Sequence, residues 1–390
     1  MSISLVVAVL MLGVADAMVG SYFVLYVTEV AGFGPLETGV FVSIHGIGGI
    51  LTSWLAGRAF DRRPSRRFAA AAMFSGAAAL ALMTVVTSFP LLVLIAFTLL
   101  GALVAAFPQL FALARVILGD GPAGRRSAPL LRSAWSLAWA VGPLLGTAVL
   151  ASRGFQAIPR TAAVLIAVAA TWLLLMVPAP ADRSPQHPGT EPEVRLAPRA
   201  TFLLTTGVTL FFAAMFAGSM VLPLYVTRDL HLPTTTVGVL FSVCAVVEVL
   251  TALALAAIPA GVSQRLIILT GMVCFTLFFA VTILARDVPL LIAGQIARGT
   301  GIAVVGAAGI RWFQDAMAPA TGRATTLFAN ATTAGMVLSG VMAGGALALL
   351  GYTGTLLLCT ALTIAAAAVF AAGSTRSPQK IETNPLRRYE

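Results

Sequence analysis

Four ionisable side chains lie deep inside long apolar runs: Asp16, His45, Glu248 and Arg298. Counted inward at about 1.5 Å per helical residue, Asp16 sits roughly 18 Å from the end of its run and the other three at least roughly 12 Å inside theirs. Carrying Asp or Arg to that depth in hydrocarbon costs at least about 2.5–3.5 kcal/mol, so each side chain is expected to face water or a partner. The chemistry open to such a set is proton transfer. Desolvation favours the protonated carboxylic acid and a neighbouring guanidinium favours the carboxylate, so a group that alternates between those settings takes up and releases a proton. Glu248 is the first candidate for this role and Asp16 the second. Plainer alternatives are a fixed Asp16–Arg298 pair and a His45 that only hydrogen-bonds a facing backbone carbonyl. Arg298 would also suit an anionic solute.

The surrounding chain has 390 residues, of which 59% are hydrophobic and 10% charged, with a mean hydropathy of +0.97. Soluble domains carry roughly 25% charged residues, so this is the composition of an all-α membrane protein. The net charge of +10 does not point to nucleic acid, because the basic residues occupy alternate short loops and form no aromatic-interleaved patch. Cys244, Cys274 and Cys359 lie within apolar spans without metal-ligand spacing, so neither a disulfide framework nor a metal site is expected, and no cofactor is indicated. No clustered catalytic constellation occupies the loops, which argues against an enzyme. The first apolar run is too long for a signal-peptide core and reads as a retained span.

Breaks at charge, Pro and Gly divide the chain into twelve expected helices: 4–27, 36–56, 68–87, 91–113, 129–151, 160–178, 201–224, 236–258, 266–285, 290–312, 324–350 and 355–373. Residues 57–67 carry five arginines (Arg58, Arg62, Arg63, Arg66, Arg67) between two such spans. Loops on the same side hold Arg115, Arg125, Arg126, Arg183, Arg195, Arg199, Arg265, Arg311 and Arg323, and the tail adds Arg376, Lys380, Arg387 and Arg388. The opposite loops hold only Arg153, Arg160, Arg228 and Arg286. Positive charge resists translocation, so the arginine-rich side and both termini are expected in the cytoplasm.

The halves repeat. Leu25-Tyr26-Val27-Thr28 returns as Leu224-Tyr225-Val226-Thr227, and the same displacement matches Gly39 with Gly238, Ser43 with Ser242, and Pro90-Leu91-Leu92 with Pro289-Leu290-Leu291. Cys244 is the repeat mate of His45 and stands one turn before Glu248, so His45 and Glu248 occupy equivalent faces of helices 2 and 8. The expected organisation is a six-helix bundle over 1–178, a Pro-rich polar linker over 179–200 in which His187 is solvated, a second bundle over 201–373 and a tail over 374–390. Two parallel six-span repeats joined in this way are the plan of the major facilitator superfamily.

The arginine loop resembles the signature that superfamily carries between helices 2 and 3: a Gly, then Asp-Arg and a basic cluster. Gly57, Asp61, Arg62, Arg66 and Arg67 match, while Pro64 and Ser65 replace the Gly expected after Asp-Arg. The resemblance implies a cytoplasmic gate built from those five residues; the alternative is a loop that only sets topology. Thr28-Glu29-Val30, the string from Pro108 to Arg115, and Leu130-Leu131-Arg132 with Ser136-Leu137-Ala138-Trp139 and Gly142-Pro143 are similar to the sugar efflux transporter family within the superfamily. That resemblance covers mainly the first half. It implies proton-coupled efflux of a small sugar or glycoside across a bacterial cytoplasmic membrane by a monomer. Gly142-Pro143 with Gly146 also resembles the helix 5 signature of antiporters, or serves packing alone.

A sugar site needs aromatic faces for the ring and amides or hydroxyls for its edge, near mid-membrane between the halves. Tyr22, Tyr26, Gln109, Trp135, Trp139, Gln295 and Asn330 are the candidates. Trp135 and Trp139 stand one helical turn apart. A multidrug/proton antiporter is the nearest alternative, favoured by a cavity lined mostly by Phe and Met. A non-transporting receptor or scaffold leaves the four buried ionisable groups without a use.

Overall fold

A computed structural model describes residues 2–118, 122–179, 198–258, 262–317 and 321–374. Nearly all of the expected linker, His187 and the expected tail fall outside them, as do the side chains of Arg125 and Arg126. The described residues are helical nearly throughout, with no strand. The first half comprises α1 (Ser2–Glu29), α2 (Pro35–Arg62), α3 (Arg66–Met83), α4 (Phe89–Leu118), α5 (Pro122–Arg153) and α6 (Ala157–Met176). The second comprises α7 (Pro198–Asp229), α8 (Thr235–Ala256), α9 (Gln264–Leu284), α10 (Val288–Ala316), α11 (321–350) and α12 (352–373).

Ten of these segments are long and apolar enough to cross a bilayer. One of the ten, Arg323–Gly373, is two helices run together. Gly351 separates them at φ +69°, a conformation glycine adopts without the steric cost a side chain brings. With that division the spans number eleven, and the shorter α3, headed by Arg66 and Arg67, completes twelve.

Helix starts follow local chemistry. Pro35 opens α2, where the Glu37 carboxylate accepts from the Gly34 N–H at 2.8 Å. Ser65 Oγ accepts from the Arg67 N–H ahead of α3, and Asp287 from the Leu290 N–H ahead of α10. Helix ends depart from the expected ones. α2 runs to Arg62 instead of 56, and α10 to Ala316 instead of 312. Loss of apolar character marks the edge of the hydrocarbon, while backbone hydrogen bonding carries on past it. α3 instead stops early, at Met83, where the Thr84 hydroxyl donates to the Ala81 carbonyl.

Each half has its own core. Leu5, Phe41, Met73, Leu113 and Ile166 belong to the first. The second centres on Phe211, Phe275, Phe278 and Phe279, whose neighbouring rings lie 4.8–5.4 Å apart, and it takes in Tyr22, Leu25 and Ile158 from the first half. The halves are therefore packed together along one part of their length.

Candidate functional site: the cavity between the halves

The two halves meet at the end of the bundle opposite the arginine loop. Gly39 of α2 packs so closely on Gly340 and Gly344 of α11 that a methyl group there would overlap the Gly340 carbonyl oxygen. Its repeat mate Gly238, in α8, packs in the same way on Pro143 and Thr147 of α5. Ser43 Oγ donates to the Val337 carbonyl at 2.8 Å and accepts from the Val341 N–H at 2.9 Å, tying α2 to α11. At the rim, Arg228 of α7 grips the Glu29 carboxylate of α1 through Nε at 3.1 Å and Nη2 at 2.7 Å. Glu29 and Arg228 are themselves repeat mates, 199 residues apart.

Below this seal lies a cavity of about 910 Å³. Asp16, His45, Glu248 and Arg298 all line it, two from each half. The Trp139 indole stands close to the Asp16 carboxylate in the cavity lining. His45 lies beside the backbone of Ala96, at the start of a π turn over Ala96–Leu100 in α4, and its buried Nδ1 has no hydrogen-bond partner among the described residues.

Arg298 is 3% exposed, and its guanidinium is oriented by neutral acceptors, Ser219 Oγ at 2.7 Å and Gln295 Oε1 at 3.1 Å. It also lies over the Phe241 ring, 4.7 Å from the centroid. The fixed Asp16–Arg298 pair, raised as a plainer alternative, is not among the ion pairs of the described residues. Glu248 is within electrostatic reach of Arg132 and Arg298 without an ion pair to either. Ser53 and the exposed Arg132 extend the lining toward the arginine end, so the cavity reaches solvent on that side.

Of the candidates for solute contact, Trp135 and Trp139 line the cavity, with the Phe107 ring tilted against Trp135 at a centroid distance of 4.2 Å. The others do not line it. The Tyr22 hydroxyl is hydrogen-bonded to Thr147 at 2.6 Å within the seal, and the Tyr26 hydroxyl donates to the Met83 carbonyl at 2.8 Å. Gln109 is buried away from the cavity, Gln295 is engaged with Arg298, and Asn330 is exposed on α11. Residue type and depth suggested these side chains, but neither says toward which side of a helix a residue points. The sequence reading missed Arg132, Ser219, Phe107 and Phe241. Arg132 was within reach, since it precedes Trp135 and Ser136 by three and four residues and so shares their face. Ser219 carries no such signal.

At the arginine end, Asp61, Arg62 and Arg67 are exposed, and Arg66 Nη1 donates to the Val177 carbonyl. Gly57 has open space around it. Asp61 makes no ion pair among the described residues.

A water-accessible chamber between two helical halves, sealed at one end and lined with charged groups from both, defines a multi-pass membrane transporter rather than an enzyme. The chain belongs to the Major Facilitator Superfamily, whose profile matches residues 5–259 and again 219–388. It is 33% identical over 372 residues to a putative sugar efflux transporter of Deinococcus radiodurans, covering 94% of this chain and 96% of that one. It is 27% identical over 345 residues to sugar efflux transporter B of Salmonella typhimurium, covering 88% of each. The fold is similar to the crystal structure of the nucleoside transporter NupG (TM-score 0.81, 15% identity, 96% of this chain and 99% of that one). It is also similar to a bacterial homologue of the iron transporter ferroportin in an inward-facing state (TM-score 0.73, 15% identity, 96% and 98%).

Proposed function

We propose that this protein exports a small sugar or glycoside in exchange for protons, by rocking its two halves about the central cavity. The observation that carries the reading is the pairing in one cavity of titratable groups from both halves, Asp16 and Glu248, with the Trp135–Trp139 face. The names of the relatives support a sugar as the solute. Placing the arginine loop and both termini in the cytoplasm, as the loop charges suggest, makes the present conformation open to the inside of a bacterial cell membrane. In the opposite conformation Gly57, Asp61, Arg62, Arg66 and Arg67 would close the cytoplasmic side, with Asp61 finding an arginine or helix N-terminus that it lacks here. The chain needs no partner subunit for this and is read as a monomer. Phe and Met supply 7 of the 32 lining residues, short of the mostly Phe and Met lining expected of a multidrug antiporter, and it is the names of the relatives that favour a sugar. Reconstitution into vesicles with an imposed pH gradient tests the reading. Labelled sugar or glycoside should move against its gradient toward the acidic side, and the absence of gradient-driven movement for any sugar would overturn it.

Two smaller effects follow. Trp139→Ala removes an aromatic face of the cavity, and should weaken solute binding on the order of tenfold, whereas Trp139→Phe keeps most of it. Equilibrium binding of a labelled glycoside to the purified variants measures this. Arg228→Gln removes an ion pair whose side chains are 39% and 43% exposed. Exposed pairs contribute at most about 1 kcal/mol, so the ratio of sealed to open forms should fall by no more than about fivefold. Spin-label distances across that rim report the ratio, and exchanging the two charges (Glu29→Arg with Arg228→Glu) should restore it.

A further inference from the structure

We propose that the outer face of α2 at the arginine end seats the headgroup of an anionic phospholipid between Trp54, Arg58 and Arg62. The two sides of α2 do different things. Gly48 and Gly49 meet α4, and Ser53 reaches the cavity. Turned away from them, Ile47 and Leu51 are each 45% exposed, and Trp54 and Leu55 each 51%. Arg58 and Arg62 continue that face at helical spacing from Trp54, and both are exposed.

Length sets the level of these groups. The 28 residues of α2 span roughly 42 Å, about two turns more than a 30 Å hydrocarbon layer. The last two turns, with Arg58 and Arg62, therefore enter the headgroup region, and Trp54 lies at its border, where indole rings are favoured. The Arg58 guanidinium does not extend into water. It folds back over the Trp54 ring, 3.9 Å from the centroid, which holds a positive charge at the depth of lipid phosphates.

Charge complementarity names the occupant. Residues 58–67 carry five arginines against Asp61 alone, a net +4. Arg66 is engaged with Val177, but Arg58, Arg62, Arg63 and Arg67 are exposed and make no ion pair among the described residues. A soluble phosphate would use only the arginines. A phospholipid also lays acyl chains along Ile47, Leu51 and Leu55, in line with its headgroup. This distinguishes the site from arginines that merely fix orientation, for which any lipid serves.

The test uses the full-length protein in mild detergent, titrated with phosphatidylglycerol or phosphatidylcholine in mixed micelles, with bound lipid counted by native mass spectrometry. Phosphatidylglycerol should bind on the order of tenfold more tightly than phosphatidylcholine, and Arg58→Gln with Arg62→Gln should weaken it about fivefold per arginine removed. The tail pair Arg387→Gln with Arg388→Gln should leave it unchanged. Equal binding of the two lipids would overturn the proposal. So would undiminished phosphatidylglycerol binding by the Arg58/Arg62 variant with a wild-type size-exclusion profile. Displacement by glycerol phosphate as effective as by lipid would show a free-anion site instead. If the double variant does not fold, Arg62→Gln alone, at a side chain with no ion pair among the described residues, gives the same reading.

Discussion

Vesicles carrying Glu248→Gln are expected to lose pH-driven uphill export on the order of 100-fold while still exchanging labelled for unlabelled solute. Glutamine matches the size of a protonated glutamate and keeps hydrogen-bonding capacity, so the halves can still rock and the cavity can still bind. What it cannot do is give up a proton. Glu248 suits the task because it lines the cavity wall without being locked in an ion pair, yet lies within reach of the charges on Arg132 and Arg298. Movement of one half against the other would change how strongly the Arg132 guanidinium, carried by the opposite half, favours its carboxylate, while Arg298 moves with Glu248. The sign is testable. Wild-type uphill export should grow as the outside is acidified relative to the inside, whereas exchange by the variant should be indifferent to that gradient. Uphill export at the wild-type rate would remove Glu248 from the coupling step and leave Asp16 as the carrier.

A single methyl group at Gly39 should have an effect of comparable size. The Cβ of Gly39→Ala would overlap the Gly340 carbonyl oxygen and stand 2.9 Å from the Gly344 Cα. Both are backbone atoms of α11, so no side-chain rotation relieves the clash. Overpacking of this kind costs typically about 1–3 kcal/mol, which shifts a two-state balance by roughly 5–150-fold away from the sealed form. Distances between spin labels on the Glu29 and Arg228 ends should lengthen, and solute flux should fall because one of the two required states is depleted. Gly238→Ala meets the Pro143 carbonyl oxygen at 2.6 Å and should act in the same direction. Unchanged distances with normal flux would show that α2 and α11 tolerate more separation at the seal than their packing suggests.

Much of the architecture was legible because hydrocarbon imposes coarse rules. Apolar runs, arginine spacing and the 199-residue repeat are properties of the chain itself, and they located twelve spans, the arginine end and the four cavity-lining ionisable groups. The junction of α11 and α12 at Gly351 was less legible, since a single residue at positive φ turns the chain where a loop of four was expected. The lining of the cavity was hardest to read. Tyr22 and Tyr26 lie one turn apart on a helix that does line the cavity, yet their hydroxyls are taken by Thr147 and the Met83 carbonyl. Ser219 entered because Arg298 needs an acceptor across from α10, a requirement that appears only once two helices are side by side.

The rim contact between Glu29 and Arg228 also bears on how such a chain arose. Positions equivalent under an internal twofold can touch only beside the axis, so these two side chains mark where that axis leaves the molecule. In an ancestor made of two identical six-helix chains, the same spot would have set glutamate against glutamate or arginine against arginine. Attraction there requires two copies that differ in sequence. Either half paired with a duplicate of itself would now meet like charge at its centre, which gives the joined polypeptide a reason to stay joined.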